Sequence, residues 1–184
     1  MTGVTIGGLG AASGRNLKGL TVGLLGAGAG RDIVGVTLGG LAAGAGGNIT
    51  GATLGLLGVG AGGNITGVSV GGVGIGAGNK LKWINVGGVG VAAPMISGLT
   101  VAGFHARGEQ IKGVTLALGW VKVEGNLSGF SASAFNQIKG RQTGVALGIV
   151  NVAYELNGVQ IGLINYVRDS PRYRRVLPVI NANF

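Results

Sequence analysis

A three-sided β-solenoid is the fold this sequence predicts, and three observations predict it. A sixteen-residue unit repeats from Gly3 with almost no loss of phase through five copies, at 3–18, 19–34, 35–50, 51–66 and 67–82. The apolar positions change strand face partway through each copy. Glycine and asparagine cluster at the same places in every copy, where a chain would turn. A short fixed period means a stacked array, in which each unit relies on its neighbours to cover its apolar side.

The third copy, residues 35–50, shows each side of the coil in turn. Val36 and Leu38 share one face of a strand, and Leu41 and Ala43 share the opposite face if the strand runs straight. Both pairs point inward only if the chain turns between them, and Gly39-Gly40 sits there. Gly46-Gly47-Asn48 marks a second corner before inward Ile49, and Thr50-Gly51 a third. Sixteen residues at about 3.3 Å each give a perimeter of roughly 50 Å, which suits a thin three-sided coil. Eleven coils about 4.8 Å apart would build a rod on the order of 50 Å long. Stacking aligns like residues, so the inward columns expected are Val4, Leu20, Val36 onward to Val159, and Ile6, Val22, Leu38 onward to Ile161. The same alternation places Thr5, Thr21, Thr37, Thr53 and Ser69 outward, on a flat surface of Gly, Ala and Thr.

Degenerate units of fourteen to sixteen residues follow from Trp83, Gly98, Gly113, Gly129, Gly144 and Gly158. The repeat domain therefore covers residues 1–166, and residues 167–184 are expected to cap it. Arg168, Arg172, Arg174 and Arg175, with Pro171 and Pro178, suit a basic cap that discourages a further chain from adding to the last coil. At the other end Met1-Thr2 leads straight into the first unit, which predicts an open edge at Gly3–Leu9 and no signal peptide.

The competing architecture is an outer-membrane antiparallel β-barrel, with one strand and one tight turn per unit. Phe184, preceded on the same alternation by Ala182, Ile180 and Val176, resembles the terminal strand signal of bacterial barrels, although Pro178 interrupts it. A barrel strand keeps one face apolar along its whole length. Here that face switches within every unit, which favours the solenoid.

Composition narrows the function classes. The chain has 43 glycines, yet 46% of its residues are apolar and only 10% charged, which excludes a disordered linker. Glycine does not recur every third residue, which excludes collagen. With no cysteine there is neither a disulfide framework nor a thiolate metal site. The uncharged stretch 33–79 is long enough for a membrane helix, but its glycines and recurring turns argue against one. A net charge of +9 gathers mainly in the later units and reads as solvating charge rather than a nucleic-acid footprint.

Catalytic patterns are sparse. His105 is the single histidine, and Glu109, Glu124 and Glu155 fall in separate units without acid–base spacing. Gly58 to Gly63 matches G-x-G-x-x-G but lacks the helix that dinucleotide binding requires. Asn48-Ile49-Thr50 and Asn64-Ile65-Thr66 match the glycosylation sequon, and their corner position explains them as turn residues. The aromatics, Trp83 and Phe130 among them, read as core filling. No enzyme activity, cofactor or metal is expected.

The units starting at Gly144 (Gly-Val-Ala-Leu-Gly-Ile-Val-Asn-Val) and Gly158 (Gly-Val-Gln-Ile-Gly-Leu-Ile-Asn-Tyr) resemble the G-[VL]-x-[IL]-G-[LI]-[IV]-N-V units of glycine-rich bacterial surface-repeat proteins, a group with no assigned activity. The resemblance implies an envelope-associated bacterial protein, at the cell surface or outer membrane, with a cytoplasmic location as the alternative. It carries over no functional residues. The expected function is that of a non-enzymatic structural or surface-interaction protein. Its partner is itself, in an oligomer or filament formed through the Thr5, Thr21, Thr37, Thr53 and Ser69 column, with contact to the envelope and none to nucleic acid. A barrel or pore is one alternative, and an ice- or polymer-binding face on the same threonines is another.

Overall fold

The computed structural model describes residues 1–184 and is a β-solenoid of about ten turns. Each coil contributes a long strand and a short one, such as Ile33–Gly39 and Ala42–Ala45. Each strand pairs in parallel with its counterpart one coil later: Ile33 with Ile49, Gly35 with Gly51, Thr37 with Thr53. The offset shortens to fifteen between Trp83 and Gly98 and to fourteen between Gly144 and Gly158, without loss of stacking. Parallel pairing between successive coils replaces the antiparallel ring of the barrel alternative. Only Val176–Asn183 runs antiparallel, folding back along the last coil from Gly158 to Tyr166.

The three corners fall where glycine and asparagine cluster. The chain bends at Gly40-Leu41 and again at Gly46-Gly47. The third corner lies inside the long strand, at the first glycine of each unit, where Gly35 and Gly51 have φ of 123° and 122°. That left-handed conformation is open to glycine and costly for other residues. Trp83 occupies the same column with φ 82°.

The direction of the side chains corrects the sequence reading. Thr37 is fully buried, whereas Val36 and Leu38 are 43% and 40% exposed. Leu41 also faces out, while Ala43 and Ile49 face in as expected. The reason lies at the fifth position of the unit. A Cβ added at Gly39 would overlap the Ala42 carbonyl oxygen, and one at Gly55 would overlap that of Gly58. This position points into the narrow space behind the first corner, which admits only glycine in the early coils and residues as small as Ala102, Ala117 and Ser133 later. The third position shares its parity, so the threonines turn inward and the valine and leucine columns turn outward.

The interior is correspondingly thin. One column of large side chains, Leu17, Ile33, Ile49, Ile65, Leu81, Ile96, Ile111 and Leu127, is almost wholly buried. Smaller residues fill the rest and trade volume along the rod. Ala43 gives way to Val59 and Ile75 in one column, while Gly108 gives way to Val123 and Ile138 in the next. Adding the Val and Leu columns to so narrow a coil would overpack it.

Candidate interaction surfaces

Three outer faces result, each continuous along the rod. The aliphatic face is formed by the second and fourth positions of each unit. In all eleven passes, from Val4 and Ile6 to Val159 and Ile161, those positions hold only Val, Leu, Ile, Ala or Phe. A ridge at the first corner adjoins it, with Leu24 68%, Leu57 54% and Leu118 81% exposed. Beyond the ridge lies a small-residue face, smooth with Gly26, Gly28, Ala42 and Gly44 in the early coils. Later coils place His105, Trp120 and Phe135 there, with Arg107 and Lys122 beside them. The third face is polar, carrying Asn48, Thr50, Asn64 and Thr66 and then Lys80 and Lys82. None of the charged residues lies on the aliphatic face or the ridge.

The predicted self-association column does not reach this surface. Thr21, Thr37, Thr53 and Ser69 are buried and Thr5 is half-buried, so neither a partner copy nor ice can meet them as a face. The hydroxyls of Thr37, Thr53, Ser69, Thr100, Thr115 and Ser131 have no hydrogen-bond partner within the chain. Arg168, Arg172, Arg174 and Arg175 are exposed around the C-terminal turn. Arg175 Nε donates to the Ser170 carbonyl at 3.0 Å, and the Arg168 guanidinium lies 5.6 Å from the centre of the Tyr154 ring.

Polar side chains instead build ladders. In the last coils Asn136 Nδ2 donates to Asn151 Oδ1, and Asn151 Nδ2 to Asn165 Oδ1, both at 2.8 Å. Ser133 Oγ donates to Asn136 Oδ1 at 3.0 Å, and Gln160 Nε2 to Gln142 Oε1 at 2.9 Å. A second ladder climbs the outside at the glycine–asparagine corner. There the Asn48 backbone N–H donates to Asp32 Oδ1 at 2.8 Å, and that of Asn64 to Asn48 Oδ1 at 2.9 Å. These bonds account for the sequon asparagines as corner residues. The Asn48 backbone and side-chain donors hold the Asp32 carboxyl below its ordinary value.

Two of the three carboxylates singled out in the sequence, Glu124 and Glu155, face cations. Lys139 lies 2.6 Å and Lys122 3.1 Å from Glu124, with Arg107 at 3.6 Å, and hydrogen bonds from Lys139 and then Lys122 push its carboxyl down. Arg141 pairs with Glu155 at 2.8 Å, which raises the guanidinium pKa. His105 faces outward with its ring edge-on to Phe104. Gly58–Ala61 is a strand.

Sequence reasoning missed two features. One is the aliphatic exterior, which the glycine at the fifth position signalled. The other is Trp83, expected in the core and in fact 67% exposed. The chain matches no family model, no curated protein and no solved structure.

Proposed function

We propose that this protein is a non-enzymatic structural rod of the bacterial envelope that works by apolar contact along its length. One observation carries this reading: the aliphatic face runs through all eleven passes without a polar side chain. Monomeric soluble proteins rarely expose apolar patches beyond a few hundred Å², and larger ones mark interaction sites. Leu38 and Leu54 stand in this face with their neighbours stacked above and below. In plain buffer, with nothing else to cover the face, copies gather on one another. Self-association thus passes from the threonine column to the aliphatic columns.

Light scattering tests the reading. The wild-type chain is expected to form oligomers or larger species in detergent-free buffer, and Leu38→Lys with Leu54→Lys to shift them toward monomer. Both side chains point outward, so the core is spared. A wild-type chain that stays monomeric at high concentration and binds no apolar dye would sink the proposal.

A further inference from the structure

We infer that the surface covering the apolar side of this rod is a lipid leaflet bearing anionic headgroups, with the rod axis lying along the membrane plane. The inference rests on the apolar-contact reading above and names its partner. Amphipathicity here runs across the rod, because the aliphatic face and the ridge keep their character through every coil and the Gly/Ala face joins them in the early coils. An interfacial amphipathic helix lies flat for the same reason.

The shape of the apolar side favours lipid over a second copy. The corner ridge, at Leu24, Leu41 and Leu57, projects between the aliphatic face and the Gly/Ala face of the early coils. A second sheet laid on one face would leave the ridge and the other face uncovered. Acyl chains flow around all three.

Entry into hydrocarbon requires that backbone polar groups be satisfied within the protein. The second residue of the ridge meets this condition although it is a corner, while the carbonyls of the first in the early coils, Leu24 and Gly40 among them, accept no bond within the chain and stay at the level of water and headgroups. The N–H of Leu41 donates to the Leu25 carbonyl at 2.8 Å, that of Leu57 to Leu41 at 2.6 Å, and that of Val73 to Leu57 at 2.8 Å. Polar side chains that would obstruct insertion are turned into the coil, as at Thr37 and Thr53.

The rims of the wedge carry positive charge. Lys18, Lys82 and Lys112 stand at the last position of their units, beside the corner that begins the aliphatic face. Arg15 and Arg31 stand at the opposite rim, where the Arg31 N–H donates to the Arg15 carbonyl at 2.8 Å. Juxtamembrane Lys and Arg are attracted to anionic leaflets.

Trp83 supplies an independent observation. It occupies a left-handed position that its column otherwise reserves for glycine, yet its side chain is 67% exposed. Backbone strain without burial in return points to a role for the exposed ring. The indole stands between Lys82 of the polar face and Ile84 of the aliphatic face, at the level where tryptophans anchor in membrane interfaces.

Vesicle flotation of the full chain tests the inference. The chain, dispersed in a dialysable detergent, is diluted into vesicles of phosphatidylcholine and phosphatidylglycerol in equal parts, or of phosphatidylcholine alone. It is expected to float with the mixed vesicles, less with the neutral ones, and less as salt rises. In a Trp120→Phe background the remaining indole is Trp83, and its emission should shift to the blue on binding. Leu24→Lys with Leu41→Lys should weaken binding at least tenfold while the β-sheet circular dichroism is retained. Trp83→Gly should weaken binding while raising the melting temperature, a split that a purely structural tryptophan would not produce. Oligomers or aggregates that refuse to float, with Trp83 emission unchanged, would overturn the lipid inference and leave the apolar-contact reading standing. A soluble monomer that ignores both vesicle types would defeat both.

Discussion

The early coils and the coils from Ser133 to Asn165 wind the same backbone around opposite interiors. In the early coils the inward polar groups are hydroxyls, and those of Thr37, Thr53 and Ser69 find no partner. In the late coils they are amides, and Asn136, Asn151 and Asn165 hydrogen-bond from coil to coil. The difference is one of reach. Stacked strands lie about 4.8 Å apart, and a hydrogen bond spans about 3 Å. A hydroxyl oxygen cannot bridge that gap to the hydroxyl above it. A carboxamide, with acceptor and donor on opposite sides of one carbon, can. Parallel stacking therefore holds the backbone in register in both regions, while only the later one adds a buried side-chain ladder along the axis.

The largest expected effect comes from breaking that ladder. Asn151→Leu would leave one Nδ2 hydrogen of Asn136 without an acceptor, the other still donating to the Leu147 carbonyl, and would leave Asn165 Oδ1 without its donor. Each unpartnered buried group costs about 1–3 kcal/mol, so the loss should be on the order of 4 kcal/mol. Stability in a repeat array is a sum of local and neighbour terms, so the damage should concentrate in the late coils. Amide hydrogen exchange should report faster opening over residues 133–167 with the early coils unchanged. Uniform weakening along the rod would mean that the ladder is not a local support.

The opposite outcome is expected where the ladder is absent. Thr37→Val and Thr53→Val keep the shape of the side chain and remove a hydroxyl that has no partner. Each should leave stability unchanged or raise it by about 1 kcal/mol, read from the denaturant midpoint. Lysine at the same positions would force a charge into the core and unfold the early coils. A clear loss on Thr37→Val would show that these hydroxyls are satisfied after all.

The threonines also mark where the sequence was legible and where it was not. The sixteen-residue period, the three corners and the inward Ile49 column were readable, because glycine, asparagine and one large aliphatic recur at fixed offsets. The parity of the long strand was not, because the reading assigned apolar residues to the inside. That assumption fails for a coil too narrow to hold them and for a chain whose exterior is itself apolar. The glycine at Gly39 and Gly55 was the better signal, since an absent Cβ reports the closest backbone approach. The wedge-shaped surface followed only from that corrected parity. Trp83 departs from its expected place for a related reason: a large aromatic ordinarily fills a core, and this coil has no room for one.

The smallest expected effect lies on the outer corner ladder, which brings the amide chemistry of the late coils to the surface of the early ones. Its one acid is Asp32, whose Oδ1 accepts from the backbone and side-chain nitrogens of Asn48. These bonds lower its pKa from 3.8, with Arg31 and Lys18 adding to the effect. A carboxyl whose folded pKa is depressed contributes stability above its unfolded value and loses it as pH falls through the folded one. Asp32→Asn keeps an oxygen toward Asn48 and adds a nitrogen that can donate toward Asn16, as Asn64 donates to Asn48. It does not titrate. At neutral pH the wild type should be equal to or slightly more stable than the variant. Below about pH 4 the wild type should fall relative to it, with other acids such as Glu124 titrating alike in both. Denaturant midpoints for the two proteins at a series of acidic pH values give the difference directly. A gap that stays constant as pH falls would show that the Asp32 carboxylate contributes nothing to holding the corner.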